Sequence, residues 1–181
     1  HKSHHATTAD EKYKVVPYQD LYIDAGFSSL ADARAAGIDI GTLTCRLLIA
    51  DLSPQAPLKE LHSERRILRL GEGVDQTKRL SPAAMDRVIQ CLREWKAVIE
   101  TYRVDACTAV ATSAVRDAGN RDEFIGRVKR DIGIDVEIIT GEEEARRTLL
   151  GIRSGLPPGV TDMLALDIGG GKVLPYMREE P

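Results

Sequence analysis

From Ala35 onward the chain alternates short apolar strands with amphipathic helices, and that alternation restricts it to an α/β layer architecture. Gly37-Ile38-Asp39-Ile40-Gly41 reads as the end of one strand, and Cys45-Arg46-Leu47-Leu48-Ile49-Ala50 as a second joined to it tightly, which predicts a hairpin. After the Pro54/Pro57 turn, Lys59–Leu70 reads as a third strand with one polar face, ending at Gly71-Glu72-Gly73. The domain is therefore expected to open with an antiparallel meander.

Helices follow. Ser81-Pro82 combines a favoured N-cap with a favoured first helical residue, and Met85, Val88, Ile89, Leu92, Trp95 and Ile99 recur at helical spacing along one buried face. Ala106–Ala111 reads as a strand, and Asn120 with Glu123 as a capping box for a helix burying Phe124, Val128 and Ile132. Val136–Ile139 is the next strand. Thr140-Gly141-Glu142-Glu143 has the capping-box spacing for another helix, whose first turn is acidic as the helix dipole favours. That helix stops near Gly155, and Met163–Leu166 is a last strand running into Asp167-Ile168-Gly169-Gly170-Gly171. Residues 1–35 lack a sustained period and read as a poorly ordered or artefactual extension, with one short strand near Leu21–Ile23.

Composition narrows the function classes. The 181 residues carry 25 basic and 28 acidic side chains, a net charge of -3, which argues against nucleic acid or a membrane surface as partner. No apolar run approaches the ~20 residues of a membrane span, so the expected location is the cytoplasm. Cys45, Cys91 and Cys107 form no C-x-x-C pair and are expected to be reduced and buried.

Two strands end in the same way, at Asp39-Ile40-Gly41-Thr42 and at Asp167-Ile168-Gly169-Gly170. Glycine lets backbone N–H groups approach an anion closely, and hydroxyls such as Thr42 and Thr44 add donors, so such a turn can cradle a phosphate. A carboxylate just before it can hold hydrated Mg²⁺. Asp-x-Gly is also ordinary turn chemistry, so either turn alone decides little. Other phosphate motifs fail: the glycines before Lys172 lack P-loop spacing, and Gln76 stands where a dinucleotide fingerprint beginning at Gly71 needs its third glycine. No G-x-S-x-G elbow occurs and His62 is the one histidine beyond the first five residues, which leaves carboxylates as the candidate bases.

Five ordered motifs resemble the exopolyphosphatase and guanosine-pentaphosphate (pppGpp) phosphohydrolase family of the actin, sugar-kinase and Hsp70 superfamily. They are Gly37-Ile38-Asp39-Ile40-Gly41-Thr42-Leu43-Thr44, Arg69-Leu70-Gly71-Glu72-Gly73-Val74, Ala111-Thr112-Ser113-Ala114-Val115-Arg116-Asp117-Ala118-Gly119-Asn120, Ile139-Thr140-Gly141-Glu142-Glu143-Glu144-Ala145-Arg146 and Asp167-Ile168-Gly169-Gly170-Gly171. The resemblance covers residues 36–171 and implies a ribonuclease-H-like (actin-like ATPase) domain, a mixed sheet flanked by helices. It implies Mg²⁺-dependent removal of terminal phosphate from polyphosphate or pppGpp. By position, Asp39 and Asp167 would sit by the metal, and Gly41, Thr42, Leu43, Thr44 and Arg46 would form the first phosphate loop. Gly169, Gly170 and Gly171 would form the second, and Glu144 would orient or deprotonate the attacking water. Arg116 is a candidate substrate contact. Ser113 has no histidine or lysine near it in the sequence and reads as a structural hydroxyl.

The pattern also departs from the family. Leu43 stands where the family usually has asparagine, and Lys172-Val173-Leu174 where it has Ser-Thr-Glu, so residues 172–181 read as a tail foreign to the family. The family's second actin-like domain is missing, which predicts a truncated chain, weakly active or inactive, with a surface prone to self-association or homodimer formation. Two alternatives stand beside hydrolysis: a phosphate or nucleotide sensor without catalysis, and an ATP-dependent kinase of the same superfamily.

Overall fold

A computed structural model describes residues 33–53, 56–154, 165–169 and 172–176. The meander forms as expected: β1 (Ala33–Ile40), β2 (Thr44–Ser53) and β3 (Ala56–Ile67) pair antiparallel in sequence order. β1 begins ahead of the expected point, at Ala33, because Arg34 is anchored at both ends. Its guanidinium pairs with Asp51 at 2.7 Å, and its backbone N–H donates to Asp105 at 2.8 Å.

A short helix α1 (Val74–Thr77) and a long α2 (Pro82–Tyr102) carry the chain to β4 (Ala106–Ala111), which lies parallel to β1. A single-turn α3 (Ser113–Arg116) and α4 (Arg121–Ile132) lead to β5 (Val136–Ile138), parallel to β4. The strand order β3-β2-β1-β4-β5, with three antiparallel strands followed by parallel crossovers, is the ribonuclease-H-like arrangement. α5 (Gly141–Ser154) follows, and β6 (Ala165–Gly169) pairs with β7 (Lys172–Tyr176) as a separate antiparallel ribbon. The expected Leu21–Ile23 strand lies outside the described residues.

Side-chain alternation divides the main sheet. Ala36, Ile38, Ile40, Cys45, Leu47, Ile49, Ala109 and Ala111 join one cluster with Met85, Val88, Leu92 and Trp95 of α2 and Phe124, Val128 and Ile132 of α4. The helix caps follow the residues: Ser81 Oγ accepts from Ala84 N at 3.2 Å, and Thr140 Oγ1 accepts from Glu143 N at 3.1 Å. Trp95 is fully buried, and its indole N–H reaches out of the core to the Glu64 carboxylate on β3 at 2.9 Å. No helix among the described residues is long and apolar enough to cross a membrane.

Three expectations are corrected. Asn120 stands at the N-cap position of α4 but its side chain makes no cap: the buried carboxamide accepts from Leu80 N at 2.8 Å and donates to Leu80 O at 3.0 Å, satisfying both ends of an amide that burial would otherwise penalise. β3 stops at Ile67, because Leu68 N and Arg69 N turn away from the ladder to donate to Leu43 O. Cys107 is exposed, while Cys45 and Cys91 are buried. Burial pushes the Cys91 thiol up to about 11 and raises the Cys45 thiol well above its ordinary range, so both are poor nucleophiles. A maleimide is therefore expected to modify one thiol in the native chain and the other two only after denaturation. Mass spectrometry counts the adducts, and a fast second adduct would contradict this burial.

Candidate active site

Asp39, Gly41, Thr42, Leu43, Thr44, Arg116 and Glu144 lie at the carboxyl ends of β1, β4 and β5 or on the segments that follow, where open α/β sheets place their ligands. The first turn is narrow because Gly41 N donates to Thr44 O at 3.0 Å. A Cβ on Gly41 would stand 2.7 Å from that carbonyl, so only glycine fits. Asp39 Oδ2 lies 4.0 Å from the same point, which brings the carboxylate against the turn.

Neighbouring segments hold this turn. Thr42 Oγ1 shares a hydrogen bond with Ser113 Oγ at 2.8 Å, Thr42 O accepts from Gly71 N at 2.9 Å, and Leu43 O accepts from Leu68 N and Arg69 N at 3.0 and 2.9 Å. A Cβ on Gly71 would collide with Thr42 Cγ2 and press on Ala114 Cβ at 3.1 Å, so this glycine is needed for close approach. The sequence marks Gly71 only as part of a motif; its steric reason lies 29 residues away, at Thr42. The Leu43 side chain points outward and is 52% exposed. Thr44 and Arg46 lead into β2, where Arg46 stands opposite Asp39 on one side and Arg65 on the other. Arg46 Nε is buried without a hydrogen-bond partner, an unmet donor in a structure that otherwise satisfies most of its buried polar atoms.

The second group lies across the β4 end. Arg116 Nη1 donates to Ile139 O at 2.8 Å and to Glu144 Oε2 at 3.3 Å, and both side chains are about four-fifths buried. Ser113 and Arg116 sit at the two ends of α3, so that single helical turn couples the first-turn hydroxyl to the Glu144 carboxylate. Ser113 acts as a joint between loops, in keeping with a structural hydroxyl. Arg116, read as a substrate contact, is occupied here in holding Glu144.

Glu142, Glu143 and Glu144 separate by environment. Glu142 is exposed, whereas Glu143 accepts from Arg146 at 2.8 and 2.9 Å and from Arg147 at 2.6 Å, which lowers its pKa to about 2. The folded value is depressed, so this contribution to stability is complete above the ordinary glutamate value of about 4.3 and is lost as pH falls through 4 toward 2. Melting curves of the parent chain and Glu143→Gln are expected to differ above pH 5 and to converge by pH 2. A gap independent of pH would assign the effect to packing instead.

Gly169 ends β6 opposite Lys172, and Asp167 lies within β6 opposite Leu174. Gly170, Gly171 and the Asp167 side chain lie outside the described residues, and so does the expected meeting of the two turns. Lys172, read as the start of a tail, begins β7.

Residues 48–173 match the sequence profile of the Ppx/GppA phosphatase family. The chain belongs to this family. It is 37% identical over 150 residues to exopolyphosphatase 2 of Mycobacterium tuberculosis, covering 78% of this chain and 47% of that protein. It is 36% identical over 135 residues to a guanosine-5'-triphosphate,3'-diphosphate pyrophosphatase of Aeromonas hydrophila, covering 75% of this chain and 27% of that protein. Among solved structures, an exopolyphosphatase from Cytophaga hutchinsonii superposes with a TM-score of 0.73 at 35% identity, over 77% of this chain and 45% of that one. The chain thus spans less than half the length of these relatives, and the residues matched by the family, 48–173, include the β4 and β5 ends described above.

Proposed function

We propose that this chain supplies the phosphate-binding and water-activating half of a site that hydrolyses terminal phosphoanhydride bonds of inorganic polyphosphate or of pppGpp. The observation that carries the reading is the Arg116–Glu144 pair at 3.3 Å, tied through α3 to the hydroxyl pair of Thr42 and Ser113. An exopolyphosphatase and a guanosine-5'-triphosphate,3'-diphosphate pyrophosphatase among the relatives support the same bond type.

The donor set fits Mg²⁺. This ion keeps several waters and uses one or two carboxylates together with substrate phosphates, in place of an all-protein cage. Asp39 offers a hard oxygen against the Gly41 turn, and the described residues contain no cluster of three or more His, Cys, Asp or Glu side chains. Asp39 and Asp167 would hold the ion, which when bound neutralises phosphate charge. The Gly41–Thr44 turn and the second glycine turn grip neighbouring phosphates, and Arg46 adds a positive charge. Arg116 holds the Glu144 carboxylate by Oε2, so that this group faces the attacking water in a fixed plane. As the water oxygen bonds to the terminal phosphorus, Glu144 takes its proton and the bridging P–O bond breaks, its electrons leaving with the shortened chain. Such a reaction depends on positioning and charge neutralisation more than on covalent chemistry, which suits a site whose described residues are carboxylates, hydroxyls and arginines.

Phosphate release from polyphosphate and from pppGpp, measured with and without Mg²⁺, tests the reading. Mg²⁺-dependent release from either supports it. Binding of tripolyphosphate without turnover would mark a sensor, and neither binding nor release would overturn the phosphate reading.

A further inference from the structure

The segment after β3 solves one problem and creates another. Leu68 and Arg69 leave the ladder and spend their N–H groups on Leu43 O, and Gly71 N goes to Thr42 O, so the first phosphate turn is strapped from one side. Leu68 O is then left without the strand partner that a continued ladder would give, while Arg69 O accepts from Glu72 N at 3.2 Å within the turn. Arg87, on the exposed side of α2, fills that gap: Nε donates to Leu68 O at 3.0 Å, and Nη2 reaches Arg69 O and Glu72 Oε2, both at 3.4 Å. The strap needs such a clamp because Arg69 is held at φ 51°, the left-handed region that a side chain other than glycine's resists. A planar guanidinium offers donors on separate nitrogens in a rigid fork that spans two adjacent carbonyls, whereas an ammonium offers its three donors from a single point on a flexible stem.

We propose that Arg87 is a positioning residue for the first phosphate turn: it locks the 68–72 strap, and the strap sets the height and orientation of Thr42 and Leu43. The inference rests on the phosphate reading of that turn and adds to it a residue on a helix outside the five motifs. The side-chain contacts of Arg87 are with the strap, so its loss acts through the strap.

The test compares Arg87→Ala and Arg87→Lys with Arg127→Ala, a control that removes a 2.7 Å pair to Asp86, on the same helix, without touching the strap. Two quantities are measured: amide hydrogen exchange at Leu68, Arg69 and Gly71, and the affinity for tripolyphosphate with Mg²⁺ by calorimetry. Arg87→Ala is expected to speed exchange at all three amides and to weaken tripolyphosphate binding about tenfold, the scale on which second-sphere partners act. Arg87→Lys should recover part of both, and Arg127→Ala should change neither. Gly71→Ala, which pushes on Thr42 directly, should weaken binding with Arg87 intact. Unchanged exchange in Arg87→Ala overturns the clamp, and faster exchange with unchanged affinity overturns the positioning role. A parent chain that binds no tripolyphosphate overturns the phosphate reading itself and this inference with it; a parent that binds beside an equally tight Arg87→Ala overturns the inference alone.

Discussion

Replacing Glu144 by glutamine is expected to lower Mg²⁺-dependent phosphate release by about 10²–10⁴-fold, the range a positioned general base contributes, with little change in tripolyphosphate affinity. The substitution keeps the shape of the side chain and an oxygen that can accept from Arg116 Nη1, so the 3.3 Å contact and the first turn of α5 are retained. What disappears is the group able to accept a proton from water. The loss should therefore fall on kcat rather than KM, as expected for an interaction made in the transition state. Arg116→Lys makes the complementary case: Nη1 alone donates to both the Ile139 carbonyl and the carboxylate, and a lysine side chain is one bond too short to place its nitrogen there, so it should lower kcat by a smaller factor with Glu144 still present. Full turnover in Glu144→Gln would remove Glu144 from the chemistry. Loss of tripolyphosphate binding in the same variant would turn it into a binding or folding residue.

The largest expected effect on stability is at Trp95. Truncation to alanine empties the centre of the α2 face and is expected to cost about 3–5 kcal/mol, a large share of the roughly 5–15 kcal/mol that holds a typical domain together. It also withdraws the indole N–H from Glu64. That carboxylate feels competing influences: desolvation raises its pKa, but hydrogen bonds from Trp95, His62 and Arg66 outweigh it and leave the value lowered. Trp95→Phe keeps most of the ring and loses only the donor, so its denaturation midpoint should lie between the parent and Trp95→Ala. Urea unfolding followed by circular dichroism is the suitable measurement, since the chain has one tryptophan and its fluorescence vanishes with the substitution. Equal midpoints for all three chains would show that the core's stability is centred elsewhere.

Much of the architecture is readable because its causes are local. Ser81 and Thr140 cap helices that begin within three residues of them, and the α2 face from Met85 to Ile99 is a period written in consecutive residues. Asn120 shows where that reasoning ends. With Glu123 three residues ahead it has the spacing of a cap, yet a buried amide takes whatever partners satisfy both its donor and its acceptor, and those belong to Leu80, 40 residues away. β3 ends early for a related reason: its last N–H groups find a better acceptor in Leu43 O than in the strand they would have extended.

The candidate site divides along the same line. The residue types and turns proposed to grip phosphate, from Asp39 to Arg46, are legible alone, because a glycine with a 2.7 Å neighbour at its missing Cβ is a local necessity of the turn. Which groups meet is not. The Thr42–Ser113 hydroxyl pair spans 71 positions and the Arg116–Glu144 pair spans 28. Both contacts exist because β4 runs parallel between β1 and β5 and sets their carboxyl ends side by side. By itself, the sequence determined most of the elements, the Ser81 and Thr140 caps and the chemical character of the turns, since these depend on residues within a few positions of one another. Only the tertiary structure decided that Glu144 is held by Arg116, that Cys107 faces solvent and that Gly71 must be bare, because strand order and packing bring together residues that no local period connects.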